Sequence, residues 1–351
     1  MSNHPERLQD AIEFACSHEV AWSRDTTGVW GVHQDDPPPY NRLFGPVHAR
    51  GGVCGVIAQS GKTIAEFGNP DRADLTFSVA KAYLALLAGV AHDQGRLRVD
   101  QSIVEALPGI GFDDAHNRTI TWRHLLEQTS EWSGTCLGIP DQVDHYRSLA
   151  FAPVTHGKKG TNRPLKSPGT YWEYNDVRIN QLSLALLHLF GEPLPEVFKR
   201  HIADPCGLST TWRWVGYDHA WVELKGQRVQ SVPGGSHWGG GVSISARDQF
   251  RLTQMLLDNG NCGDRRVLSL DWINQMRTPS RLAPFYGYLV WLNDGQRIFK
   301  SLSPSAFFGM GAGGHFSLVE PVHDLVIIVR WLDSSQADEF FARVVKAFEQ
   351  H

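Results

Sequence analysis

The sequence predicts an α/β fold, with an antiparallel sheet flanked by helices and an inserted, mostly helical part. Three observations predict it. Two short strand patterns, Val53 to Ala58 and Thr63 to Phe67, meet at Ser60-Gly61 and read as a hairpin. The middle of the chain is mostly helical in its apolar spacing. Three further strand patterns, Tyr286 to Leu292, Phe316 to Glu320 and Leu325 to Trp331, then precede a closing helix, Gln336 to Gln350. Ala337, Phe340, Phe341, Val344, Val345 and Phe348 share one face of that helix, so it must cover a sheet. The expected organisation is a single unit over 1–351. Its α/β part spans about 1–75 and 230–351, and its helical part about 76–229.

The elements follow in order. Leu8 to Phe14 reads as a first helix. Pro37-Pro38-Pro39 beside Asp35 and Asp36 is irregular, since proline fits neither a helix interior nor a central strand. Thr76 is expected to cap a helix that starts near Ser78 and ends at Gly95. Ile103 to Leu107 stops at Pro108, and Thr119 or Thr121 caps a helix reaching Glu127. Thr129 to Pro168, rich in Gly, Pro, Lys and Thr, reads as a long excursion over a cleft. Helices at Arg178 to Phe190 and Leu194 to His201 follow, then a tryptophan-rich stretch, Thr210 to Val222. Gly239-Gly240-Gly241 turns into a strand, Val242 to Ser245, and a helix, Ala246 to Leu257. No internal repeat is present.

Composition excludes several classes. With 42% hydrophobic and 20% charged residues the 351-residue chain is globular. A net charge of −4 leaves no electrostatic footprint for nucleic acid. The longest apolar run, Ala82 to Ala91, is too short to cross a bilayer. Five cysteines in no C-x-x-C spacing indicate neither a disulfide framework nor a zinc site. With no signal-peptide pattern at Met1 to Phe14, a cytoplasmic location is expected.

Three stretches could carry chemistry. In Phe77-Ser78-Val79-Ala80-Lys81, serine and lysine share one helical face, where an amine can take the serine proton. Backbone N–H groups at the helix start could hold an oxyanion. Ser167-Pro168-Gly169 delivers Tyr171-Trp172-Glu173-Tyr174-Asn175-Asp176 into a helix, and Tyr174 could act as a base beside a cation. Phe308-Gly309-Met310-Gly311-Ala312-Gly313-Gly314-His315 matches a dinucleotide fingerprint by spacing. It precedes a strand, without the strand-then-helix context that fingerprint needs. Its glycines instead let a substrate approach a strand edge.

Together the three stretches resemble the serine β-lactamase-like family, from about Gly52 to Trp331. These penicillin-recognising enzymes include class C β-lactamases, D,D-peptidases, family VIII esterases and 6-aminohexanoate-dimer hydrolases. Ile120 to Leu126 with Thr129-Ser130, and Gly239 to Asp248, add to the resemblance. It implies a β-lactamase/transpeptidase-like fold and a serine hydrolase acting on a carboxylic ester or amide. Ser78 would be the nucleophile, Lys81 and Tyr174 would move its proton, and the N–H groups of Ser78 and Ala312 would hold the oxyanion. No metal or organic cofactor is implied, and the partner is a small ester or amide, with an oligomer open.

Two departures bear on the expectation. Asp176 stands where the family usually has asparagine, which would favour a charged Lys81 and leave Tyr174 as the main base, tuned by that charge. Gly309-Met310-Gly311 replaces a Lys-Thr-Gly motif, which disfavours β-lactams and peptide C-termini as main substrates. Candidate pocket residues are Asp176, Gly311, His237, Trp238, Trp172 and His315, with Trp132 as a further aromatic wall. For the histidines and tryptophans, ordinary packing or structural hydrogen bonding competes with that role. Glu173 and Asp176 do not read as a facing glycosidase pair, and no G-x-S-x-G elbow occurs. A β-lactamase or D,D-peptidase, or a binding protein whose site has decayed on the same fold, remain the alternatives.

Overall fold

The structure is a computed structural model that describes residues 4–26, 32–149 and 156–349. Part of the excursion expected at Thr129 to Pro168, and Gln350 of the closing helix, lie outside the described residues. The labelled elements are the longer helices and the strands of the main sheet. These are α1 (His4–Ser17), β1 (Cys54–Gln59), β2 (Lys62–Phe67), α2 (Ala80–Asp93) and α3 (Asp176–Phe190). Next come α4 (Ala246–Leu257), β3 (Trp291–Leu292), β4 (Phe307–Gly311), β5 (His315–Glu320), β6 (Leu325–Arg330) and α5 (Ala337–Phe348).

The strands form one antiparallel sheet in the order β3-β4-β5-β6-β1-β2. β1 and β6 pair from Cys54 with Arg330 to Gln59 with Leu325, so the two ends of the chain share its centre. Both faces of this centre are covered. Val56, Val326 and Ile328 face α4 through Ala246 and Phe250. Ile57, Ile327 and Val329 belong to the other layer with Phe340 and Phe341 of α5. Burial on both sides explains why Leu325 to Val329 reads as an unbroken apolar run rather than an alternating one.

α2 is apolar all round and buried from Ala80 to Ala91. It packs against α3 and against β4. The segment before it is pinned as a strand, Asp74–Leu75, against Gly241–Ile244. Thr76 then donates both its N–H (2.9 Å) and its hydroxyl (3.0 Å) to the Val242 carbonyl. Thr76 therefore does not cap the helix, contrary to the sequence expectation. Ser78 lies in a one-turn 3₁₀ segment, Phe77–Val79, and the α-helix proper starts at Ala80.

Other expectations changed in detail. Thr121 caps Trp122–Leu126 in a capping box with His124. Asn175 caps α3, accepting from the N–H groups of Val177 and Arg178. Most of Tyr286 to Leu292 is not a strand. Leu289 adopts a left-handed φ of 57°, and its N–H donates to the Leu126 carbonyl, which turns the chain out of the sheet. Among the described residues no helix is long and apolar enough to cross a membrane.

A disulfide joins Cys206, just after the short helix Leu194–Phe198 and its extension, to Cys262 beyond α4. This corrects the expectation of no disulfide. A sequence separation of 56 carries no spacing signal, and only the fold brings the two Cα atoms to 5.2 Å. Disulfides persist in oxidising compartments, so the bond weighs against a cytoplasmic location. Closing a loop of this length restricts the unfolded chain. Replacing both cysteines by serine should cost about 2–4 kcal/mol and lower the melting temperature by several degrees. Alkylation of the unfolded, unreduced protein should modify Cys16, Cys54 and Cys136 alone; modification of all the cysteines would disprove the bond.

Candidate active site

Ser78 and Lys81 meet as the sequence spacing requires. Lys81 Nζ lies 2.8 Å from Ser78 Oγ, and the lysine side chain is buried. Phe77, immediately before the serine, holds a left-handed φ of 51°. Such backbone strain in a bulky residue costs roughly 1–3 kcal/mol and is found where a site over-determines it. Here the Thr76 bonds on one side and α2 on the other impose it.

Tyr174 arrives on the segment that leads into α3. Its ring centre lies 4.6 Å from Lys81 Nζ and 5.1 Å from the Arg147 guanidinium carbon. Trp291 stacks on it at 5.7 Å and Tyr286 meets it edge-on at 6.2 Å. Tyr174 and Ser78 both line the cleft. Burial, and then the Asp176 charge, push the phenol well above its ordinary pKa, against the opposing effects of Arg147 and Ser78. The expectation that a cation would lower the Tyr174 pKa is therefore reversed.

Asp176 does face Lys81. Its Oδ1 lies 2.5 Å from Lys81 Nζ, yet off the axis of a hydrogen bond, so that Oδ1 has no aligned donor. The aligned N–H of Lys81 points to Ser78. Asp176 Oδ2 pairs with Arg147 Nη1 at 2.7 Å and with His237 Nδ1 at 3.2 Å. Burial opposes ionisation of Asp176, but Arg147 and then Lys81 outweigh it and hold the carboxyl well below its usual range. Lys81 is moved down from its ordinary value, first by burial. Asp176 pulls it back up and Arg147 pushes it further down.

Behind Asp176 lies more buried charge. Asp144 takes Arg147 at 3.1 Å and Lys159 at 3.4 Å, and Asp36 takes Lys159 and, at 2.7 Å, His237. Asp36, Asp144 and His237 are grouped closely enough to hold a metal ion. The Lys159 ammonium, which also approaches His237 Nε2 at 3.4 Å, stands where that cation would be. Sequence reasoning missed Arg147, Lys159, Asp36 and Asp144. The available signal was Asp176 itself, since a carboxylate in an apolar helix start demands partners.

A cleft of about 880 Å³ opens over Ser78. Tyr174, Trp291, Phe299, Met310, Gly311 and Ala312 line it, so the third stretch meets the first two. Tyr146, Arg147, Leu149 and Lys159 of the excursion line it as well, as expected of a segment over a cleft. Gly311 has to be glycine, because a Cβ there would lie 2.2 Å from the Thr76 carbonyl oxygen.

The remaining candidates lie off the cleft lining. His315 is fully buried between Trp331 (4.3 Å) and Phe77 (5.8 Å), and burial, then Arg330 and Arg50, hold its pKa well below the ordinary value. Trp238 donates its indole N–H to the Tyr40 carbonyl, and Trp132 to that of Gly111. Trp172 packs on Phe285, Tyr286 and Trp291, behind Tyr174. His237 reaches the site through Asp176 and Lys159.

Gly235 presses on the centre. A Cβ there would lie 2.9 Å from Lys81 Nζ and 3.5 Å from both Ser78 Oγ and Asp176 Oδ2. Gly235→Ala should displace the amine from Ser78 and slow modification of Ser78 by a fluorophosphonate roughly 10²-fold, with an unchanged circular dichroism spectrum. An unchanged rate would mean that Lys81 has room to spare.

Comparison with known proteins agrees with this layout. The family model described as Beta-lactamase matches residues 41–342. A protein of Escherichia coli O157:H7, described as a candidate D-alanyl-D-alanine carboxypeptidase, is 24% identical over 277 residues. That match covers 67% of this chain, and the chain spans 63% of the length of that relative. The crystal structure of a family VIII carboxylesterase superposes with a TM-score of 0.65 at 16% identity, covering 99% of this chain and 97% of the other. A penicillin-binding protein homologue from Caulobacter crescentus gives 0.64 at 16% identity, covering 99% and 97%.

Proposed function

The chain belongs to the beta-lactamase family, and we propose that it is a serine hydrolase of carboxylic esters or amides that works through an acyl-enzyme on Ser78. The observation that carries this is the 2.8 Å approach of Lys81 Nζ to Ser78 Oγ in a buried place, with Tyr174 beside both. Lys81, moved down by burial, is the base that takes the Ser78 proton. The serine oxygen bonds to the substrate carbonyl carbon, and its π electrons move to the carbonyl oxygen. The N–H groups of Ser78 and Ala312 hold that oxyanion. Tyr174 stays protonated between steps. It passes its proton to the departing oxygen or nitrogen and recovers one from Lys81. Water then attacks the acyl carbon, losing a proton to Lys81, and the ester bond to Ser78 breaks as the same pair returns a proton to Ser78 Oγ.

The cleft favours a neutral, apolar acyl group. Trp291, Ile298, Phe299, Met310 and Leu149 supply its surface. Gly309 stands where a Lys-Thr-Gly lysine would be, and a Cβ there would already lie 3.2 Å from Val79 Cγ1. The position that would bind a β-lactam or peptide carboxylate thus has no cation and little space for one. Arg147 and Lys159, the cations at the cleft, are already held by carboxylates. The site needs no metal or cofactor for this chemistry. The family resemblance leaves a β-lactamase or D,D-peptidase as the competing activity.

The protein should hydrolyse p-nitrophenyl butyrate, with nitrocefin turned over far more slowly if at all. A fluorophosphonate should add one label, lost in Ser78→Ala. Faster turnover of nitrocefin than of the ester would overturn the substrate class. Absence of Ser78-dependent labelling would overturn the acyl-enzyme and leave a binding protein on this fold.

A further inference from the structure

Asparagine at position 176 would be neutral, whereas this chain places a carboxylate 2.5 Å from the amine that has to accept a proton. Alone, that carboxylate would keep Lys81 charged and useless as a base. The structure supplies the remedy from outside the three motifs. Arg147 enters on the excursion, pairs with Asp176 Oδ2 at 2.7 Å, and also meets Asp144 at 3.1 Å. We propose that Arg147 is a positioning residue for hydrolysis: its guanidinium shares the Asp176 carboxylate with Lys81, taking Oδ2 while Lys81 meets Oδ1, and so weakens the hold of that carboxylate on the Lys81 proton.

Geometry supports this. Lys81 directs its aligned hydrogen bond to Ser78 and meets Asp176 off axis. The groups facing this centre are Asp176 from the start of α3, Tyr174 just before it, and Asp144, Arg147 and Lys159 from the excursion. Asp36 and His33 come from the N-terminal segment, and His237 from the turn after Gly235. The three carboxylates therefore meet two fixed cations, Arg147 and Lys159. His237 places one ring nitrogen on Asp36 and the other on Asp176.

The proposal rests on the reading of Lys81 as the base, and the test separates the two. The acidic limb of the kcat/KM profile for p-nitrophenyl butyrate reports the essential base of the free enzyme. With Arg147→Met, Asp176 loses the guanidinium that shares it with Lys81, and the limb should move to higher pH by about one unit or more. Asp176→Asn should move it the other way. The double variant R147M/D176N removes opposite charges together and should return the limb close to the wild-type position. Arg147→Lys should shift it less than Arg147→Met. A limb that stays in place in Arg147→Met while the rate falls would overturn the proposal. Should Arg147→Met fail to fold, an unmoved limb in Asp176→Asn would overturn it as well. If instead Lys81→Met keeps the wild-type acylation rate, the Lys81 reading itself fails.

Discussion

Everything near Ser78 depends on how a buried lysine can sit against a buried carboxylate. Taking an ion out of water costs several kcal/mol, and pairing repays this only when the remaining charges and hydrogen bonds are also met. Lys81 and Asp176 are each about 1% exposed. The chain answers with a connected set of ion pairs instead of one tight pair. Arg147 spans Asp144 and Asp176, Lys159 spans Asp36 and Asp144, and His237 spans Asp36 and Asp176. Each carboxylate thereby has two or more basic side chains as neighbours. Removing any one group leaves another buried and short of a partner, which is why such clusters hold a particular conformation even where they add little net stability.

That solution makes the excursion part of the site's framework, and a second buried ion network anchors it. Arg163 bridges Glu131 at 2.5 Å and Glu173 at 2.7 Å, and Arg178 of α3 reaches Glu131 at 2.8 Å. Burial alone would raise the Glu131 carboxyl, but Arg163, Arg178 and the Lys166 N–H bring it down to about 2. Glu173 stands one residue from Tyr174, so the bonds that seat the excursion also fix the tyrosine. The Glu173 N–H donates to the Gln128 carbonyl, and the Asn175 N–H to the Gln128 side chain, which completes the placement.

Sequence alone displayed β1, β2, β5 and β6, α2 and the closing helix because their apolar periods are locally consistent, whereas β4 was hidden by its glycines. Ser78, Lys81 and Tyr174 were legible for a similar reason: their spacing is local, and the elements that carry them meet at one cleft. Arg147, Lys159 and Asp36 were not, because nothing in their neighbourhoods says which distant charge they meet. The disulfide was hidden in the same way. Thr76 misled because a threonine before a helix is usually a cap, and here a strand partner, Val242, claims its hydroxyl. The proton roles also depended on burial. Asp176 was foreseen as a neighbour of Lys81, but its off-axis approach and its guanidinium partner are three-dimensional facts.

The excursion therefore has a bearing on how this protein could be re-engineered. Surface loops around a cleft are the usual targets for diversification, since they are treated as modules separate from the reactive core. Here the segment that shapes the mouth of the cleft also delivers the guanidinium and the ammonium that balance the carboxylates beneath it. A loop grafted from another family member would carry its own side chains into a core still built around Asp36, Asp144 and Asp176. Substrate fit and base strength would then change together, and a graft chosen for shape alone would inherit an electrostatic mismatch.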